Sequence, residues 1–246
     1  MSAPLGRFHE LTLQTPDIRG SVEFYEQLGF TQALTGDTWS HPYGVLTDGR
    51  VALGLHENPA REASFTWVHP EVASLGAALE RDGYLLEYRR TGAEEFHEIG
   101  LRDPSGQLIR VLEARTYSPP ASETQHSLCG EFAALALRSA DFAAAKRFWE
   151  PLGFVAVEER DSPFEHLALT SDSLDLVFHR VRPLGGSALI FTPDGPGESS
   201  FATRIARLKA AGLEPLDRLP AELDAAASAL VESPEGTRLL MLGVDL

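Results

Sequence analysis

The chain carries one cysteine, Cys129, in 246 residues. That excludes an intrachain disulfide and any zinc site built from several thiolates. It also suits a reducing compartment, so a cytoplasmic placement is the expectation. Basic residues are scarce as well, 21 Lys and Arg against 36 Asp and Glu, for a net charge of −15. Arg89-Arg90 is the densest basic spot, whereas phosphate backbones and anionic lipid surfaces demand clustered cations. Neither nucleic acid nor a membrane surface is expected as a partner. No apolar run approaches the roughly 18 residues of a membrane span, and the opening MSAPLGRFHE lacks the apolar core of a signal peptide. A Gly-rich phosphate loop, a Gly-x-Ser-x-Gly elbow and a His-Glu-x-x-His motif are absent too. Cys129 has no base beside it in sequence, which argues against a nucleophile.

Apolar residues make up 43% of the chain and charged residues 23%, too apolar for disorder. The length suffices for two domains of about 120 residues. The chain also repeats itself. Residues 8–30, FHELTLQTPDIRGSVEFYEQLGF, align without a gap on residues 132–154, FAALALRSADFAAAKRFWEPLGF, at an offset of 124. Asp17 meets Asp141, Phe24-Tyr25-Glu26 meets Phe148-Trp149-Glu150, and Leu28-Gly29-Phe30 meets Leu152-Gly153-Phe154. Farther on, VASLGAALERDGY (72–84) matches FATRIARLKAAGL (201–213), and Asp103-Pro104-Ser105-Gly106 matches Ser233-Pro234-Glu235-Gly236. Between the copies, TYSPPASETQHSLCG (116–130) is rich in Pro, Ser and Thr and reads as a connection. The reading is a domain over 1–117, a linker over 118–129 and a second domain over 130–246.

Each domain divides again. Alternation predicts a strand over 7–14. Asp17 then caps a helix over 17–28 by accepting from its orphan N–H groups, and Gly29 suits the left-handed end. Strands follow near 30–35, 42–47 and 51–57. The same order recurs as a strand over 63–69, a helix over 71–82 and strands near 84–90, 95–102 and 107–114. The last two are joined by the Asp103–Gly106 turn. The unit is βαβββ, and four copies make an α+β chain.

Four such modules, the Asp-x6-Phe-aromatic-Glu-x-Leu-Gly-Phe motif twice over and the Asp-Pro-Ser-Gly turn resemble the vicinal oxygen chelate superfamily. That superfamily includes glyoxalases, fosfomycin and bleomycin resistance proteins, and extradiol dioxygenases. The resemblance implies two tandem domains, each a half-open barrel of mixed sheet with helices outside, curled around a small-molecule site. In catalytic members, His and Glu on the inward strand faces hold a divalent metal there. Because one fold serves many chemistries, each ligand position must be asked what it holds. Seven residues before Asp17 stands Glu10, whose face it shares with Thr12 and Gln14, while His9, Leu11 and Leu13 take the other. The three remaining positions align with Gly54, Ser64 and Arg110. A fixed cation opposes a second cation, and such metals take three or more protein donors, so no metal cofactor is expected. In the second domain the first and closing positions are Ala134 and Leu240, which cannot ligate. That cleft is read as apolar or filled, and the domain as structural.

The expected site is therefore a cleft in the first domain lined by Glu10, Thr12, His56, Ser64, Thr66 and Arg110. It would take a small polar, zwitterionic or aromatic molecule, as bleomycin-binding relatives do, with Arg110 gripping a carboxylate through its planar fork. Glu10 is the candidate for metal-free acid–base work. A Glu10–Arg110 ion pair bridging the cleft is the structural alternative. His56 and His179 occupy matching positions in the two copies. With His97 and Glu10, His56 would make a shifted metal set, serving a metal-dependent lyase, isomerase or extradiol-type dioxygenase with a divalent metal as cofactor. A non-catalytic scaffold is the third reading. A homo-oligomer is compatible with all three.

Overall fold

The structure is a computed structural model and describes residues 4–34, 39–58, 62–114, 127–184, 187–193 and 200–246. The first module runs β1 (Arg7–Gln14), α1 (Ile18–Gln27), β2 (Thr31–Ala33), β3 (Tyr43–Thr47) and β4 (Ala52–His56). The second runs β5 (Ser64–His69), α2 (Val72–Arg81), β6 (Leu86–Arg90), β7 (Glu98–Arg102) and β8 (Leu108–Glu113). Together they form one sheet in the order β2-β3-β4-β1-β5-β8-β7-β6. β1 and β5 meet antiparallel at its centre, and each is flanked by a parallel partner, β4 and β8. Asp17 caps α1, its carboxylate accepting from the Gly20 N–H, and Asp141 does the same for the repeat's helix through Ala144.

The second repeat follows the same plan with β9 (Glu131–Arg138), α3 (Phe142–Trp149), β10 (Val155–Arg160), β11 (His166–Thr170) and β12 (Asp175–His179). It continues with β13 (Ser187–Thr192), α4 (Phe201–Ala210), β14 (Ser228–Glu232) and β15 (Arg238–Leu242). Its sheet has seven strands, ordered β10-β11-β12-β9-β13-β15-β14. The fourth module thus corrects the expected pattern, because it lacks the strand after its helix. Pro215 and Pro220 deny that segment ladder donors, and a single backbone bond, Leu216 N to Leu230 O at 2.7 Å, stands where the strand would pair. Residues 118–126 of the expected linker lie outside the described residues. At its end Cys129 is fully buried in the core, where burial first of all pushes its thiol up to about 12.

Alternation sends Leu11, Leu13, Leu53, Leu55, Phe65 and Trp67 to one face of the first sheet, against Val72, Leu75 and Leu79 of α2. The equivalent face of the second sheet contributes Leu135, Leu137, Leu189 and Phe191 to the same core, and Trp149 of α3 closes it. The helix-covered faces of the repeats therefore meet, and a matched pair of polar contacts seals them. Tyr25 on α1 donates to Glu235 Oε1 at 2.6 Å, and Trp149 on α3 donates to Asp103 Oδ2 at 3.3 Å. Glu235 and Asp103 belong to the corresponding turns of the two repeats. The opposite faces of the two sheets point away from this shared core. No described helix is long and apolar enough to cross a membrane.

Candidate functional site

The ladder register fixes which residues share the face of the first sheet turned away from the helices. Glu10 pairs with Thr66, Thr12 with Ser64 on one side and Gly54 on the other, Gln14 with His56, and Thr66 with Arg110. Residues paired directly across strands point to the same side of a sheet. Glu10, Thr12, Gly54, His56, Ser64, Thr66 and Arg110 are thus brought together on one surface, and the leucines between them face the helices.

Glu10 is buried at the centre of β1. Its Oε1 accepts from Thr12 Oγ1 at 2.9 Å and its Oε2 from Tyr43 OH at 2.9 Å. Thr12 has one hydroxyl proton, so Thr66, 2.8 Å away, donates to Thr12. The carboxylate lies over Gly54, where a Cβ would come within 2.2 Å of Oε1. Burial pushes the carboxyl up, but the His56 and His9 imidazoles and the two O–H donors outweigh it and hold its pKa below the usual value. Glu10 is a carboxylate at neutral pH, which makes it a hydrogen-bond acceptor and a weak base.

His9 departs from the expected face. The β1–β5 register shifts between Phe8 and Glu10, and Phe8 rather than His9 pairs with Trp67, its ring 5.2 Å from the indole. This bulge turns His9 Nε2 to within 3.9 Å of Glu10 Oε2. On the other flank, His56 Nε2 lies 3.8 Å from Glu10 Oε1, and His56 Nδ1 lies 2.8 Å from His41 Nε2. The rings of Tyr43 and Trp39 stand 4.4 and 5.0 Å from His56, and Trp39, 38% exposed, marks the rim.

Arg110 does not pair with Glu10, correcting the expected bridge. Its Nη2 donates to Glu98 Oε2 at 2.7 Å and its Nε to Tyr88 OH at 3.0 Å. Glu98 and Tyr88 reach it because β7 and β6 carry them on the same face, Gly100 pairing with both Tyr88 and Arg110. Tyr88 lies across Gly100, whose added Cβ would come within 2.2 Å of the ring. Glu98 Oε1 accepts a second guanidinium, Arg90, at 2.6 Å. Arg110 itself is 7% exposed, and its Nη1 is buried with no hydrogen-bond partner among the described residues.

The shifted metal set is not assembled. His97 precedes β7, and its Nδ1 lies 2.9 Å from Glu113 Oε2, which also accepts from Val72 N at the start of α2. That contact keeps His97 on the helix side, away from Glu10. Glu10, Gly54, Ser64 and Arg110, the four positions asked for a metal ligand, offer one carboxylate, one glycine, one buried hydroxyl and one guanidinium, and this donor set does not fit a divalent metal. Among the described residues, no three or more of His, Cys, Asp and Glu are arranged to hold an ion.

The equivalent face of the second sheet is built otherwise. Register places Ala134, Ala136, Val177, Ala188, Ile190 and Leu240 where the first has Glu10, Thr12, Gly54, Ser64, Thr66 and Arg110. With Phe164, Leu223 and Leu230 they form a buried apolar cluster, and Leu219 and Leu246 pack against it. A hollow of about 480 Å³ remains towards β10 and β11, lined in part by Ala134, His166 and Arg160. Another, of about 790 Å³, lies between the Pro104–Gln107 turn and the start of α3, and its Arg138, Arg180 and Arg182 are exposed.

No family model matches the chain, and no curated protein matches its sequence. Solved structures do match in shape. A catechol 2,3-dioxygenase shares 14% identity at a TM-score of 0.58, covering 98% of this chain and 90% of its own. Homoprotocatechuate 2,3-dioxygenase from Arthrobacter globiformis shares 15% at 0.66, covering 98% and 80%. An extradiol ring-cleaving dioxygenase from B. fuscum shares 16% at 0.63, covering 100% and 73%. Likeness at such identity establishes a shared fold, and the fold is theirs.

Proposed function

We propose that this chain, which has the vicinal oxygen chelate fold, binds a small polar or aromatic organic molecule on the face of its first sheet turned away from the helices, without the metal of the fold's catalytic members. The contrast between its two halves supports this reading. The same six register positions hold acid, hydroxyls, glycine and a guanidinium in one repeat and only apolar side chains in the other. Burying polar and charged groups costs free energy that an apolar face avoids. A face kept polar beside a duplicate that packs well without polarity has a use for its polarity. Glu10 would accept a donor from the molecule, Tyr43, Trp39 and His56 would lie along its apolar part, and Thr12, Ser64 and Thr66 form the floor. The lowered pKa of Glu10 favours binding over general-base work.

Melting-temperature shifts with a panel of small phenols, amines and carboxylates test the reading. A bound compound at a hundredfold excess over its Kd stabilises by about 2.7 kcal/mol, a rise of several degrees. Glu10→Gln is expected to reduce that rise. The neighbours' fold raises a second reading, divalent-metal chemistry, for which the imidazoles of His9 and His56 on either side of Glu10 would be the available donors. A rise with Fe(II), Mn or Zn, lost in His56→Ala, together with no response to the organic panel, would replace the first reading by the second.

A further inference from the structure

We infer that Arg110 stands in for the missing metal, a cation built into the chain that receives a carboxylate of the bound molecule. The inference rests on the cleft reading above and names its ligand class. Arg110 occupies the closing ligand position of the fold, at the middle of β8, and its side chain shares that face with Glu10. Two of its three nitrogens are fixed, Nη2 by Glu98 and Nε by Tyr88. The third, Nη1, is buried and has no acceptor among the described residues. Buried donors are nearly always paired, and a charged donor left without a partner is among the costliest defects a fold can carry. Among the described residues nothing accepts from Nη1, so its two N–H bonds are open to an acceptor carried by a bound molecule.

Charge selects what that acceptor is. Glu98 is shared between Arg110 and Arg90, so two guanidiniums face one carboxylate and the cluster has a formal excess of one positive charge. An anion completes it. Glu10 lies two strand intervals away, about 10 Å between Cα positions, with Thr66 between them. Each of its oxygens accepts one hydrogen bond, from Thr12 or from Tyr43, and keeps a further lone pair. Glu10 repels an anion from its own end and accepts an N–H or O–H there. The ligand is therefore a small carboxylate that carries a hydroxyl or amine at its far end, oriented by the opposed charges of Arg110 and Glu10.

Isothermal titration of the full chain with 4-hydroxybenzoate and with tyrosine, each beside its primary amide, tests the assignment. The acids are expected to bind about ten-fold or more tightly than the amides, the difference between a charge-assisted and a neutral hydrogen bond. Arg110→Gln alone would strand Glu98. The double variant Arg110→Gln, Glu98→Gln keeps a neutral hydrogen-bonding pair, its folding checked by circular dichroism, and is expected to erase the preference for acid over amide. Amides that bind as tightly as acids, or a double variant that keeps the preference, overturn the role of Arg110 and leave the cleft reading standing. No binding by either series to the wild-type chain overturns both.

Discussion

Gly54 and Gly100 sit in strand interiors, where a glycine forfeits packing and conformational entropy, and each is explained by the side chain that crosses it. Glu10 folds over the first and the Tyr88 ring over the second. Gly100→Ala is accordingly expected to push Tyr88 off its place and loosen the anchor of Arg110, at an overpacking cost of about 1–3 kcal/mol in chemical denaturation. Unchanged stability in that variant would show that the ring has room to move. The direction of Glu10 was legible in the sequence because Leu11 and Leu13 claim the opposite face. Its partners were not. Tyr43, Tyr88 and Glu98 reach the site across ladders whose register depends on loops, so nothing local tied Arg110 to Glu98 rather than to Glu10. His9 escaped parity counting for a different reason, since a bulge inserts a residue that strict alternation does not count. The glycines were the available signal, as each marks a strand position where something passes close.

At the scale of elements, β12 carries a histidine into an apolar surface. His179 is fully buried, and its burial, aided by the charge of Arg138, depresses its pKa from 6.5 to about 4. The unfolded chain binds this proton near pH 6.5 and the folded chain only near pH 4. Stability from neutral His179 is thus fully present above about pH 6.5 and is lost as pH falls towards 4, to a total of about 3 kcal/mol. Urea denaturation between pH 7 and pH 4 checks this. His179→Phe should lose less stability than the wild type over that window, and equal losses would place the protonation elsewhere. Helix caps and strands were readable from local chemistry, as Asp17, Asp141 and the Asp103 turn illustrate. The absent strand after α4 was not foreseen from the module count, although Pro215 and Pro220 were in view. The duplication argued for a strand, and the apolar second cleft drew Leu219 and Leu223 over itself instead.

For the whole molecule, duplication made the architecture legible, because an ungapped offset of 124 carried one module's pattern onto another. It could not reveal how the repeats dock. The Tyr25–Glu235 and Trp149–Asp103 contacts join turns and helices far apart in sequence, and only the assembled faces bring them together. The faces of the two sheets turned away from the shared core then diverge, one packed with aliphatic side chains and the other keeping buried charges. On the proposed reading Arg110, rather than a metal ion, supplies the cation on this face of the first sheet. Elemental analysis of the chain purified without chelator checks this. The expected result is well under about half an equivalent of iron, manganese or zinc per chain after gel filtration, since among the described residues Glu10 and the flanking His9 and His56 imidazoles are not arranged to hold an ion. Close to one tightly held equivalent per chain would overturn the metal-free reading.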